Sequence, residues 1–358
     1  MAQPGSLFHL VKLGARVHPV ECLLAYALPY ALYHCNTFHA LFRANAIAQL
    51  ALFIPLVQIP SFLKSRMSYV DIGWPLGLVL LACLSWVLGE GYYWRKLLCC
   101  GCLLLHGGRM ALGALVLFFP YQFPEDLPRY QYAKVRFEKQ DGMPASLWWA
   151  KIQHDTLQQA FANSTMLAAP FLCMASNRAV GLHPLEVCGG ILWLASFLFE
   201  NWADAQKENF LQACAAKRKQ NPSVSAAVLG MQPWNGSSFC TWTWCRHPNY
   251  FGEWMCWNAF LLMATPSLLG LEEAAWVKAG IGLTFVFVSR FFFDCLCFWT
   301  GAEPAEYFSV RKRPDYRAYQ SSVRMFFPFE VPSVNHYRIS GWPASSKETL
   351  STRVLDGH

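Results

Sequence analysis

The residues best equipped for chemistry stand in one run, Trp242-Thr-Trp-Cys-Arg-His-Pro-Asn-Tyr-Phe-Gly-Glu253. A turn-rich loop (Pro233, Asn235, Gly236, Ser237, Ser238) precedes it, and an apolar segment from Trp254 to Leu269 follows. Pro248 fits the first turn of a helix, where a missing N–H costs nothing. Arg246 and His247 are therefore expected at the mouth of a membrane helix, beside unpaired N–H groups and the positive dipole end. That is a place for an anion, phosphate included. Trp242, Trp244 and Tyr250 offer rings on which a planar group could stack. An interfacial aromatic belt with a snorkelling arginine accounts for the same residues.

Other stretches carry chemistry more diffusely. In Phe199 to Phe210, Glu200, Asp204 and Lys207 fall roughly on one helical face, as functional groups or as the ion-paired end of a solvated helix. Arg290 and Asp294 stand four apart in an apolar segment, where an unpaired charge costs roughly 3 kcal/mol on insertion scales, so they should face each other or a polar cavity. Intramembrane charges are functional hypotheses by default, and a structural pair is the competing reading. Arg109 needs a partner that the sequence does not name. Asp71 opens another apolar segment, where the helix dipole favours a carboxylate, and with Tyr69 it forms a candidate proton donor. No Gly-x-Gly-x-x-Gly follows a strand, and no Ser-His-Asp or His-Glu-x-x-His pattern occurs. Cys240 and Cys245 lack the second pair that zinc requires.

The elements that must position these groups are membrane helices. The chain has 358 residues, 54% hydrophobic and only 14% charged, against about 25% charged in soluble globular chains. Most of the 14 cysteines lie in apolar runs, where they behave as small hydrophobes. Apolar runs at 20–33, 44–63, 74–89, 97–119, 156–175, 184–200, 250–269 and 275–299 predict an all-α polytopic bundle of about eight spans. With eight, 22 of the 29 Lys and Arg fall on the side of both termini and five on the other. The positive-inside rule then makes both termini and the Arg246 run cytosolic. The net charge of +7 reads as loops facing anionic lipid rather than nucleic-acid binding. Residues 1–19 form an N-terminal lead, 20–334 the membrane domain, and 335–358 a polar tail expected to be disordered.

The string Arg246-His-Pro-Asn-Tyr-Phe-Gly-Glu253 resembles the signature of the steroid 5-alpha-reductase C-terminal-like family, the DUF1295 branch in particular. That branch is related to sterol reductases and, more distantly, to isoprenylcysteine carboxyl methyltransferases. The resemblance runs from about Ser68 to Phe329, with the cofactor region at about 199–329. Gln206-Lys207 with Phe210 is similar to the Gln-Lys-x-x-Phe-Arg stretch of sterol reductases, whose Lys and Arg bind NADPH phosphates. Leu211 stands where the Arg would be, and Lys217, Arg218 or Lys219 could supply the charge.

By resemblance, Lys207, Trp242, Asn249 and Tyr250 contact the dinucleotide, and Arg246 and His247 border it. Glu306 and Tyr319 of the closing segment carry over as cofactor contacts, and Arg290 and Asp294 join the cofactor-binding candidates. The Asn249 amide can both donate to and accept from a carboxamide such as nicotinamide. Ser68 to Gly77 and Glu125 to Tyr130 resemble the family too, the latter as a lid or structural loop.

The resemblance implies an NADPH-dependent oxidoreductase acting on a CH–CH bond of a lipophilic substrate. Cofactor would enter from the cytosol and substrate from the bilayer of the endoplasmic reticulum or another internal membrane. Tyr69 and Asp71 are the catalytic candidates. An S-adenosylmethionine-dependent methyltransferase would also use Arg246-His247 and Glu253. A catalytically silent lipid-binding scaffold is the third reading, and Leu211 is the feature that favours it.

Overall fold

The computed structural model of the protein describes residues 27–121, 124–139, 142, 144–220 and 227–329. The N-terminal lead, residues 20–26 of the expected first span and the tail 335–358 lie outside the described residues. Among the described residues every regular element is helical. In chain order these are α1 (His39–Phe53), α2 (Ile59–Lys64), α3 (Val70–Leu88), α4 (Tyr93–Tyr121), α5 (Pro128–Lys139), α6 (Trp148–Ser164), α7 (Ala169–Ser176) and α8 (Pro184–Gln220). They continue as α9 (Thr241–Trp244), α10 (Pro248–Leu269), α11 (Ala275–Asp294), α12 (Ala302–Lys312) and α13 (Tyr316–Ser322).

Four stretches among the described residues are long and apolar enough to cross a membrane: Asn36–Lys64, Val70–Leu88, Tyr93–Phe119 and Ala275–Lys312. The protein is thus an all-α integral membrane protein. In the first stretch α1 and α2 are joined by a π-helical turn, Ile54–Gln58. Pro55 and Pro60 lack the N–H that a regular ladder requires, and the helix widens there. A similar π turn, Cys295–Trp299, follows α11. The run expected at 156–175 is not one helix. It breaks at Thr165 (φ −121°, ψ −94°) between α6 and α7, because Pro170 cannot donate to the preceding turn. The runs expected at 184–200 and 250–269 are helical, within α8 and α10, but Glu186, Glu200, Glu253 and Asn258 dilute their apolar character.

The chain divides into two compact units, Met1–Leu198 with Glu253–Tyr307, and Phe199–Gly252 with Phe308–His358. The core of the first is aromatic: Trp257 stacks on Phe292 at 4.4 Å and meets Phe260 and Phe171 edge-on. A buried amide chain ties α1, α3 and α6 together. Gln49 donates to the Gly77 carbonyl at 2.8 Å, Asn45 to that of Asn163 at 3.1 Å, and Asn163 to that of Trp74 at 3.0 Å. Such bonds satisfy groups that would be costly to leave unpaired in an apolar interior. The second unit is built on a smaller cluster of Phe210, Leu229 and Trp242, and another of Val228, Tyr316 and Tyr319.

Candidate functional site

The second unit holds Lys207, Trp242, Arg246, His247, Asn249, Tyr250 and Tyr319. Lys207 lies on α8, and Gln206 beside it anchors the next element. The Gln206 Oε1 accepts from the Thr241 hydroxyl at 2.7 Å and its N–H at 3.3 Å, fixing the start of α9. Trp242 on α9 is buried, with its indole N–H on the Ala203 carbonyl at 3.0 Å. The Lys207 ammonium sits 5.8 Å from the centroid of that indole, a cation–π distance. Tyr319 of α13 is also buried, and its hydroxyl donates to the Trp242 carbonyl. Gly230 permits this closure: it has φ +90°, and a Cβ there would lie 2.6 Å from the Trp242 carbonyl oxygen and 2.7 Å from the Tyr319 hydroxyl.

Pro248 does open α10, as its place in the first turn predicts. Arg246, just before it, is buried and committed to the closing segment. Its guanidinium donates to the Gln320 carbonyl at 3.0 Å and to that of Val323, and its backbone N–H to the Arg324 carbonyl at 2.7 Å. His247 is buried and stacked on Tyr250, with centroids 5.2 Å apart and planes within 5°. Trp244 stacks on Phe199. Gly252 is a packing residue, since a Cβ there would meet the Glu200 backbone at 3.0 Å. Burial pushes the Cys245 thiol up to about 12, which makes it a poor metal ligand or nucleophile.

Asn249 differs from its neighbours. It is 8% exposed, and its amide nitrogen donates to the Asp204 carboxylate at 2.9 Å. A carboxylate only accepts, so Asp204 fixes which way the amide faces. The amide oxygen is left buried with no hydrogen-bond partner among the described residues. A buried acceptor without a donor costs about 1–3 kcal/mol, and a ligand N–H would relieve that cost.

Tyr69, Asp71, Arg290, Asp294 and Glu306 belong to the first unit. Arg290 and Asp294 form the expected pair at 2.7 Å, with Asp294 buried and Arg290 half-exposed. Glu306 is buried on α12. Tyr69, also buried, meets Phe118 edge-on at the start of α3. Asp71 accepts from the Tyr130 hydroxyl and from Arg129 at 2.8 Å. Burial first, and the Asp71 charge second, push the Tyr130 phenol well above its ordinary range, so it keeps its proton and donates. The stretch around Ser68 and the loop around Asp126 are joined directly. Buried Asp126 accepts from the Met67 N–H at 2.8 Å, the Ser68 N–H at 3.0 Å and the Ser68 hydroxyl at 2.8 Å. The loop therefore holds the segment that leads into α3.

The sequence reading missed Asp204 as the Asn249 partner, Tyr130 as the Asp71 partner, and His106. His106 is fully buried on α4 with its Nε2 3.2 Å from Glu253, whose same oxygen accepts from the Trp257 indole at 2.9 Å. Arg109, one turn on, lies 5.6 Å from the centroid of the Phe197 ring, and its charge also bears on Glu253. The signal was available in His106 and Arg109 within one apolar run, since both need polar company there.

Compared with known proteins, residues 57–323 match the family described as "Protein of unknown function (DUF1295)". The chain is similar to an uncharacterized protein of Schizosaccharomyces pombe (strain 972 / ATCC 24843), 28% identical over 191 residues, which cover 51% of this chain. The matched region spans half (50%) of that relative's length. No solved structure matches the chain.

Proposed function

We propose that this chain, which belongs to the DUF1295 family, is a membrane-embedded reductase that uses NADPH to saturate a carbon–carbon double bond in a lipophilic, steroid-, sterol- or enone-like substrate. The observation that carries this reading is the Asn249 amide. It is buried and oriented by Asp204, with an oxygen that has no donor among the described residues, in the first turn of α10. Those are the properties required to receive a carboxamide N–H such as that of nicotinamide. In the same unit, Lys207 over Trp242 sets a cation against an aromatic wall, which suits the diphosphate of a dinucleotide.

When bound, NADPH supplies the hydride. This chain's residues orient the carboxamide at Asn249, neutralise phosphate at Lys207 and supply a proton. Asp71 accepts two hydrogen bonds, from the Arg129 guanidinium and the Tyr130 hydroxyl. Tyr69 and Asp71, at the start of α3, are the proposed proton donors. Arg246 and Tyr319 serve by holding the closing segment against α9 and the start of α10. We further propose eight spans with both termini cytosolic, from the 22 to five division of Lys and Arg, in the endoplasmic reticulum or another internal membrane. Substrate then reaches the protein from the bilayer.

The test is parallel titration of detergent-purified protein with NADPH, NADH and S-adenosylmethionine, for wild type and Asn249→Ala. NADPH binding that weakens in the variant supports the proposal. Binding of S-adenosylmethionine without NADPH replaces it with methyl transfer, and binding of neither replaces it with a lipid-binding scaffold.

A further inference from the structure

The aromatic core of the first unit encloses a polar cluster that the proposed reaction does not use. His106 is fully buried midway along α4, one of the four long apolar helices. Its Nε2 meets the Glu253 carboxylate at 3.2 Å. A carboxylate only accepts, so that nitrogen carries the hydrogen and donates it. The Trp257 indole N–H donates to the same oxygen, Oε1, at 2.9 Å. Both donors thus converge on one side of the carboxylate. The other oxygen, Oε2, has no hydrogen-bond partner among the described residues, and neither has the second imidazole nitrogen, Nδ1. Trp193 on α8 is buried too, and its indole N–H also lacks an acceptor among the described residues.

These side chains share their surroundings. Phe197 stacks on Trp193 at 4.8 Å and lies 6.3 Å from His106. Phe260 lies 5.8 Å from His106 and 6.0 Å from Trp193. All six residues belong to the first unit. A pair kept only to tie α4 to α10 has no use for spare polar atoms, which cost stability when buried and unmet. Apolar side chains of similar volume would join the helices without that cost, and charges at membrane depth are functional candidates by default.

What the spare atoms require is specific. An ionised carboxylate oxygen accepts only, and an indole N–H donates only. A hydroxyl satisfies both at once, donating to Oε2 and accepting from Trp193. A ketone oxygen accepts only, and would leave Oε2 unmet. The polar part of the cluster has to receive a single oxygen, the size of one water molecule, and the rings around it suit an apolar body.

We propose that Glu253 and Trp193 anchor the hydroxyl group of a lipophilic alcohol, with His106 as the positioning residue that turns Oε2 toward it. The inference rests on the reductase reading in taking that lipid as the substrate. It deepens the reading by selecting an alcohol from the steroid-, sterol- or enone-like classes.

Glu253→Gln supplies the sharpest test. The two N–H donors keep the amide oxygen at the Oε1 position, so an NH₂ group replaces Oε2 and an acceptor becomes a donor. Binding of cholestanol, cholestanone, cyclododecanol and cyclododecanone to detergent-purified protein is followed by tryptophan fluorescence, with NADPH titrated in parallel. Wild type is compared with Glu253→Gln and Trp193→Phe, each checked for folding by its melting temperature. Wild type should bind at least one alcohol about tenfold tighter than its ketone, as expected of a bond to a charged acceptor. Glu253→Gln should reverse that preference, and Trp193→Phe should weaken alcohol and ketone alike. The anchor is overturned if wild type binds alcohol and ketone equally, if it binds none of the four, or if folded Glu253→Gln keeps the wild-type preference; the spare atoms then meet buried water alone. Should Glu253→Gln not fold, Trp193→Phe decides, and an unchanged alcohol affinity there overturns the anchor. In each of those cases, NADPH binding that depends on Asn249 leaves the reductase reading standing. An alcohol preference that Glu253→Gln reverses, in a protein that binds no NADPH, supports the anchor as a lipid site and removes the reductase reading instead.

Discussion

Replacing Asp204 with alanine removes the acceptor that fixes the Asn249 amide, a contact of 2.9 Å between a buried amide and a half-buried carboxylate. A hydrogen bond to a charged group is worth about 1.5–3 kcal/mol, and partial exposure of Asp204 sets the expectation at the lower end. Without that bond the amide can turn over and present its NH₂ where the ligand needs an acceptor. NADPH affinity should then fall about tenfold, equivalent to roughly 1.4 kcal/mol. Asn249→Ala should cost at least as much. The two losses must not add, because Asp204 acts through Asn249: the double variant should bind no more weakly than Asn249→Ala alone, leaving a coupling energy of about 1.4 kcal/mol. Fluorescence titration of NADPH into the four detergent-purified proteins measures the cycle. Additive losses, with a coupling below about 0.5 kcal/mol, would refute the claim that Asp204 orients the amide.

Three other perturbations probe the scaffold. Gly230→Ala puts a Cβ against the Trp242 carbonyl and the Tyr319 hydroxyl at φ +90°. It should lower stability by about 1–3 kcal/mol, read by thermal melting, and weaken NADPH binding with it. Tyr130→Phe removes the phenolic bond to Asp71 and should reduce turnover while NADPH affinity stays within about twofold; an equal loss in both would assign Tyr130 to the fold alone. Glu273 accepts from the Thr37 N–H at 2.7 Å and its hydroxyl at 2.8 Å. Burial alone would raise its carboxyl, but the bonds from Thr37, Cys35 and Asn36 outweigh it and hold the carboxyl below its ordinary range. A depressed folded pKa gives stability that is present above the unfolded carboxylate value and lost as pH falls through the folded one. The melting temperature of wild type should therefore drop across that acid window, and Glu273→Gln should flatten the dependence.

How far the sequence could be read follows from the range of the interactions. Helices and their apolar character are local, so the stretches at 44–63, 74–89, 97–119 and 275–299 reappear within the four long apolar helices. Pro248 at the start of α10 and the Arg290–Asp294 pair were legible for the same reason, one a first-turn rule and the other a four-residue spacing. The break at Thr165 is also written locally, in Pro170 at the start of α7, within a run whose apolar character is unbroken. Asp204 with Asn249, Asp126 with Ser68, and His106 with Glu253 are separated by 45, 58 and 147 residues. No periodicity encodes such pairings. Their only trace was a polar residue in a setting that must satisfy it.

The run from Arg246 to Glu253 is largely spent on architecture. Arg246 fastens the segment after α13, Gly252 lets α10 approach Glu200, and His247 and Tyr250 stack on each other. A string of eight residues can therefore match a family without eight residues touching a ligand. What separates a catalyst from a silent scaffold with the same fold is whether any member keeps an unspent polar group. Asn249 does, in a buried oxygen with no donor among the described residues, on an amide whose nitrogen is already committed to the Asp204 carboxylate. A scaffold under no demand to bind a cofactor would lose little by replacing that amide with an apolar side chain, since the unsatisfied acceptor costs about 1–3 kcal/mol and the bond to Asp204 returns about 1.5–3 kcal/mol. Asn249→Leu thus divides the two readings in a single protein: its gain and its loss in the free protein roughly offset, so the melting temperature should stay near that of wild type while the stabilisation that added NADPH gives the wild type is abolished. A folded variant that still gains as much from NADPH would mean that the cofactor is held elsewhere.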